Sequence, residues 1–243
     1  MNKTFPFFLA IILSFSAFSQ NLVLVKDYSK NFSKDTRIQE IKTENQKVVI
    51  IQKDKNNQSI IGSLLGENIL ETNQNIVNYN TDKNTNDNFI LESTRKYNSV
   101  SINLKKYSLS DQIIFEKIIE LQSKSDNFFI DYDNEKNIYI AGSYIKFFNI
   151  DKFKAEQTQK SNIFILKLNS KGEIIALHTI NSSEEIQITD FKISQNSIFI
   201  TGTFEKELNT LQSNGRKDAF VSVLNTNDFS VIKELNIGSV FDD

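Results

Sequence analysis

Ile38–Ile51 reads IQEIKTENQKVVII and Ile188–Thr201 reads ITDFKISQNSIFIT; the two align without a gap at an offset of 150 (188 − 38). Each is a strand, a short polar turn, and a second strand rich in the β-branched and aromatic residues that suit a pleated surface. Phe129–Ala141 (FIDYDNEKNIYIA) is a third copy, with a turn longer by about two residues, an ordinary hairpin variation. Such internal repetition governs the fold, because a unit this small cannot bury its own apolar surface and must stack on its neighbours.

The second half of the unit repeats as well. Asn162–Asn169 (NIFILKLN) matches Asp218–Asn225 (DAFVSVLN) at an offset of 56, and Glu173–Ser182 (EIIALHTINS) matches Ser230–Ser239 (SVIKELNIGS) at 57. A weaker copy, Asn98–Leu121, sets Val100, Ile102 and Leu104 where Phe164, Leu166 and Leu168 stand. Each unit thus has four short strands, and the expected fold is all-β: four-stranded antiparallel blades of an incomplete β-propeller, about three in number where closed propellers have 4–8. NIYIAGSY and SIFITGTF are apolar on both faces, as inner strands between neighbouring sheets should be. Ile163–Leu168 alternates more and is expected to be half-buried. Gly142 and Gly202 share one repeat position, the signature of a bulge or a close backbone approach. No segment beyond the N-terminus keeps a helical period.

The organisation expected is a signal peptide over 1–19 and a repeat region over 20–243, with units near 38–121, 127–182 and 188–239. Residues 67–88 (ENILETNQNIVNYNTDKNTNDN) are expected to form a long polar insert, a solvated loop by composition. Gly238–Asp243 overlays Asn181–Ile186, the connection to a following unit, and Leu22–Lys26 (LVLVK) resembles a last strand placed ahead of the first unit. These ends suggest the N-terminal part of a longer chain; the alternative is a short protein that closes by self-association.

The N-terminus has the three parts of a signal peptide in order. Lys3 supplies charge, Phe5–Phe18 is uncharged and mostly apolar, and Ala17 and Ser19 are the small residues a signal peptidase reads, with cleavage before Gln20. The apolar run is shorter than the roughly 20 residues a spanning helix needs, and no later stretch is apolar enough to cross a bilayer. The chain is expected to be exported: secreted, periplasmic or at the cell surface, with no transmembrane segment once the signal is removed.

Composition narrows the functional classes. The 243 residues hold 28 basic and 30 acidic side chains, 39% apolar residues and no cysteine. Without cysteine there are no disulfides, thiolate zinc sites or cysteine nucleophiles, so the fold depends on its core. Without a basic field there is no grip on a nucleic-acid backbone.

NIYIAGSY followed by SNIFILKLNSKGEIIALHTI resembles the secreted bacterial seven-bladed β-propeller repeat (SBBP-like) family, of Bacteroidetes type. The likeness is clearest over Asp126–Ser182 and departs from the pattern near Ala176, where the usual tryptophan is missing. The resemblance implies a propeller fold and an exported setting, and no single activity.

Candidate chemistry is sparse. His178 is the only histidine and lies in a strand whose equivalents are Lys117 and Leu235; no nucleophile–base pair surrounds it in sequence, so a structural role is expected. Asp131, Asp133 and Glu135 alternate like half of a calcium loop, but Lys136 stands where that loop needs glycine and Gly142 where it needs a closing glutamate. A polar hairpin turn is the simpler reading. Neither a cofactor nor a catalytic residue is assigned. The expected function is a non-enzymatic scaffold or binding module for an unknown protein or glycan ligand. The alternative is the ancillary domain of a secreted glycan-acting enzyme.

Overall fold

The computed structural model describes residues 37–44, 47–53, 59–63, 68–72, 75–81, 87–108, 112–156, 161–182 and 184–239, with backbone alone for 37–72 and 155–156. The signal segment with Ala17, Ser19 and Gln20, the strand expected at Leu22–Lys26, and the last residues from 240 lie outside the described residues. Within them the chain is all-β, with antiparallel sheets of four to six strands and no helix.

The first sheet is β1 (Arg37–Glu44), β2 (Lys47–Lys53), β3 (Ser59–Ser63) and β4 (Asn68–Thr72), in that order. The second begins with β5 (Asn75–Thr81), β6 (Asn88–Lys96), β7 (Ser99–Tyr107) and β8 (Ile113–Gln122). The third is β9 (Phe128–Tyr132) and β10 (Ile138–Tyr144), then, past a hairpin of β11 (Phe147–Ile150) and β12 (Phe153–Glu156), β13 (Ser161–Leu168) and β14 (Ile174–Ser182). The fourth is β15 (Ile186–Ser194) and β16 (Ser197–Phe204), then, past a hairpin of β17 (Glu207–Leu208) and β18 (Leu211–Gln212), β19 (Asp218–Asn225) and β20 (Val231–Ile237).

Both inserted hairpins leave their own sheet and reach the outer strand of the preceding one. β11 pairs with β8, matching Phe148 to Leu121, and this extends the second sheet to six strands. The shorter β17–β18 hairpin meets β14, where the Ser182 hydroxyl donates to Glu207 O at 3.1 Å.

Strand register carries the repetition further than residue likeness does. The β1–β2 and β15–β16 ladders superpose pair for pair at the offset of 150, from Arg37–Lys53 over Gln187–Thr203 to Glu44–Lys47 over Ser194–Ser197. The same bulge interrupts both, between Ile38 and Glu40 and between Ile188 and Asp190, and β5 has it between Ile76 and Asn78. Every pairing of third with fourth strand also carries a bulge near its turn, and the residue skipped is Ile69, Ile114, Ile175 or Ile232.

These registers revise three expectations. The stretch 38–121 contains two four-stranded meanders, and the supposed insert 67–88 contains β4, β5 and the start of β6. The three asparagines of NIVNYNT, at 75, 78 and 80, read as loop, yet Ile76 and Tyr79 are buried. The weaker copy is also shifted. Bulge-to-bulge matching puts Leu104 opposite Ile165 of the third sheet, and Lys106 opposite Lys167, so the sequence alignment was off by three residues. An odd shift turns every side chain to the other face: Val100, Ile102 and Leu104 face the third sheet, whereas Phe164, Leu166 and Leu168 face back at the second.

The third sheet is packed on both sides. Ile138, Ile140, Phe164 and Leu166 join the second sheet in one core, while Tyr139, Ala141, Ile163 and Ile165 join the fourth in another. β10 and β13 are buried at every position, so Ile163–Leu168, expected to be half-buried, is fully enclosed. SIFITGTF behaves the other way: β16 buries one face and leaves Phe199 39% exposed on the other.

Candidate functional site

The first strands of the second, third and fourth sheets, β5, β9 and β15, lie side by side, with β9 in the middle. Each is an edge strand whose outward N–H and C=O groups need partners from outside its own ladder. Side chains of the adjoining sheet supply them. Asp131 of β9 is the hub, with 3% of its surface exposed. One carboxylate oxygen accepts the Asn80 amide from β5 at 3.0 Å and the Tyr132 N–H at 3.0 Å. The other accepts the Ile193 N–H of β15 at 2.8 Å and pairs with Lys192 Nζ at 2.8 Å. A single carboxylate therefore ties three sheets together. Asn80, Asp131 and Lys192 hold one register position, each opposite an aromatic residue of the next strand: Phe89, Tyr139 and Phe199.

Around this hub the same device recurs. The Tyr132 hydroxyl donates to Thr81 O at 2.7 Å, and Asn80 Nδ2 also reaches Ile130 O at 3.4 Å. Ser161 Oγ donates to Ile186 O at 2.6 Å, and Ser143 Oγ accepts the Ile188 N–H at 3.2 Å. Sheet-to-sheet hydrogen bonds thus run along the whole inner seam between the third and fourth sheets.

Asp133, two residues on, has a different set of partners. Its Oδ1 accepts the N–H groups of Glu135 and Asn137, both at 2.9 Å, and its Oδ2 accepts the Asn137 amide and the Tyr139 hydroxyl, also at 2.9 Å. Glu135 is exposed and accepts from the Asn137 amide at 3.3 Å. Lys136 takes the left-handed conformation (φ 66°) that favours glycine in a turn. Asp131, Asp133 and Glu135 therefore do not converge. The first spans sheets from within β9 and the second closes a hairpin turn. Among the described residues no three carboxylate or imidazole side chains gather as metal ligands. Millimolar calcium is expected to shift the melting temperature by less than about 1 °C, because binding would have to displace these hydrogen bonds. A rise that tracks calcium concentration in a thermal melt would contradict this arrangement.

Sequence reading missed the role of the Thr226–Phe229 turn between β19 and β20. It seats on the third sheet at the same end as Asp133. Buried Lys167 donates to Thr226 O at 3.1 Å and sits 5.3 Å from the Tyr139 ring centre. The Tyr139 hydroxyl, deep in the seam and beside Asp133, is pushed well above the ordinary phenol range, first by burial and then by that carboxylate. Tyr139 thus stays a neutral donor.

His178 stacks flat on Phe229, with ring centres 5.1 Å apart and planes within 2°. Burial lowers its pKa below 6.5, so the folded chain holds it neutral where the unfolded chain begins to bind a proton. Stability is then full above pH 6.5 and falls as pH drops from there through the lower folded value, since the unfolded state takes up the proton first. A thermal melt series from pH 7 to pH 5 is expected to decline less steeply in His178→Phe, which keeps the stack and cannot charge. Equal slopes would separate His178 from the acid sensitivity.

At the other end of the strands a small cleft opens between the loop joining β8 to β9 and the loop joining β14 to β15. Ser123, Ser125, Ser143, Ser161 and Gln187 line it, and Lys124 and Glu185 face each other at 3.6 Å. Arg95 braces the first loop, donating to Ser123 O at 2.6 Å, to Ser125 O at 3.0 Å and to Asp126. The cleft lies at the mouth of the inner seam: Ser143 and Ser161 bond the backbone of β15, Ser123 and Ser125 bond within the first loop, and Lys124 and Glu185 stand exposed at its rim.

The chain matches no known protein family and no curated protein. What fold and site define is therefore a class: an all-β protein of repeated antiparallel sheets, whose buried polar groups stitch sheet to sheet.

Proposed function

We propose that this chain is an exported repeat protein of β-propeller type, acting as a non-enzymatic scaffold or binding module at the cell surface or outside. One observation carries the reading: the second, third and fourth sheets stack with their first strands, β5, β9 and β15, side by side and their fourth strands the more exposed, as radial repetition would arrange them. The most conspicuous ionisable side chains, Asp131, Asp133, Lys167 and His178, are engaged in joining sheets or closing turns, which favours scaffolding over chemistry. The cleft at the mouth of the inner seam, rimmed by the exposed Lys124 and Glu185, is where a ligand would meet the bracing loops, and its polar lining suits a glycan or a polar peptide segment. Export follows from the N-terminal pattern of Lys3, the apolar run and Ala17–Ser19. Propellers of this kind present loops on a rigid frame, so recognition there needs no catalytic group.

The test incubates the exported chain with a panel of soluble polysaccharides and with cell-surface protein extract, measuring retention and new reducing ends together. Retention without new reducing ends supports the reading. Release of reducing ends makes the protein an enzyme and overturns it, and no retention on either material overturns the binding role. Mass spectrometry of the exported chain should find Gln20 as the first residue; an intact Met1 would refute the signal.

A further inference from the structure

The second, third and fourth sheets share one mode of contact, and among the described residues the fourth carries half of that contact without a partner. In the second sheet the face toward the third holds Phe89, Leu91, Ile102 and Leu104, none more than 2% exposed; in the third, the face toward the fourth holds Tyr139, Ala141, Ile163 and Ile165, all at 0%. Strand register assigns the same positions in the fourth sheet to Phe199, Thr201, Ala219 and Val221, followed on β20 by Leu235 and Ile237. Phe199 is 39% exposed, Leu235 44% and Ile237 57%. An apolar sheet face of this kind marks an interaction surface.

What fits such a face is already visible in the chain. The third sheet is covered by Phe191, Ile198, Ile200 and Phe220, from the opposite face of the fourth. In the first sheet those register positions belong to Ile41, Ile50, Val48 and Ile60, in ladders that superpose on the fourth sheet pair for pair. The corresponding faces of the later sheets are occupied: Tyr79 and Ile90 of the second are buried, and those of the third and fourth pack within the chain.

We infer that the exposed face of the fourth sheet receives the first sheet of a second copy of this chain, so that copies associate head to tail. The contact continues the existing sheet-on-sheet interface. It is heterologous, and such contacts give closed rings where the rotation closes.

The cysteine-free chain makes the test direct. Val221→Cys and Ile50→Cys are made as separate variants, mixed, and treated with a short bis-maleimide, while sedimentation reports the mass of the unmodified chain. The expected results are an oligomer for the unmodified chain and a crosslinked pair from the mixture, with no pair from Val221→Cys alone. Val221→Lys combined with Leu235→Lys should yield a monomer with an unchanged circular dichroism spectrum. Ile118→Lys, at an exposed apolar position on β8, should leave the oligomer intact. A monomeric unmodified chain overturns the inference, as does crosslinking of Val221→Cys only to itself or equal dissociation by Ile118→Lys.

Discussion

Asp131→Ala is expected to destabilise the protein by about 3 kcal/mol. A hydrogen bond to a charged group contributes about 1.5–3 kcal/mol, and a buried donor left without its acceptor costs about as much again. Removing this carboxylate strands the Ile193 N–H of one sheet and deprives the Asn80 amide of another of its closest acceptor. The ion pair adds less than its geometry suggests, because the Lys192 side chain is 66% exposed and water screens it. At roughly 2–4 °C per kcal/mol for a domain of this size, the melting temperature should fall by about 6–12 °C. Asp131→Asn, which keeps one acceptor oxygen, should lose about half as much. Lys192→Met should cost less than about 1 kcal/mol. A variant Asp131→Ala melting within 1 °C or so of the parent would show that the three inner strands hold together without their hub.

Gly202→Val is expected to be the most damaging single change in the fourth sheet. A Cβ at Gly202 would overlap the backbone carbonyl of Gln187 and stand 2.6 Å from the Phe220 ring. Overpacking costs about 1–3 kcal/mol where side chains can give way, and more where they cannot. Here the obstacle is main chain in the adjoining strand, next to the bulge at Ile188 and Asp190, so relief would require breaking the ladder. A loss above about 3 kcal/mol is predicted, with Gly202→Ala somewhat milder. Gly142→Ala meets the Phe128 and Phe164 rings first, which can shift where main chain cannot, and should be the smaller effect of the two. Denaturant titration of the variants gives the comparison directly. A Gly142 variant more damaging than its Gly202 counterpart would refute the distinction between ring and backbone.

How much was legible beforehand depended on which physical signal a segment carried. Strand identity was plain wherever β-branched and aromatic residues ran together, as in NIYIAGSY and SIFITGTF, because their fit to a pleated surface is a property of the residues. β5 was not legible. Its three asparagines favour turns in isolation, and only the surrounding structure, which buries Ile76 and Tyr79 and holds the Asn80 amide, makes NIVNYNT a strand. Asp131 and Asp133 looked alike in sequence. Their roles differ because one lies on an edge strand facing two other sheets, while the other turns back on its own hairpin.

The repeat was thus determined by sequence alone: the offset of 150, the paired glycines and the all-β character follow from residue pattern and chain geometry. Pattern has no means of stating which face of a strand meets which sheet, since a one-residue slip preserves composition and reverses every side chain. Tertiary structure decided that the described residues form four meanders where the repeat pattern reads about three. It also decided that buried polar side chains seal the inner edges, and that Phe199, Leu235 and Ile237 stand exposed on one face of the fourth sheet. Each of these depends on contacts between residues far apart in the chain, and burial there, not local preference, sets the free energy.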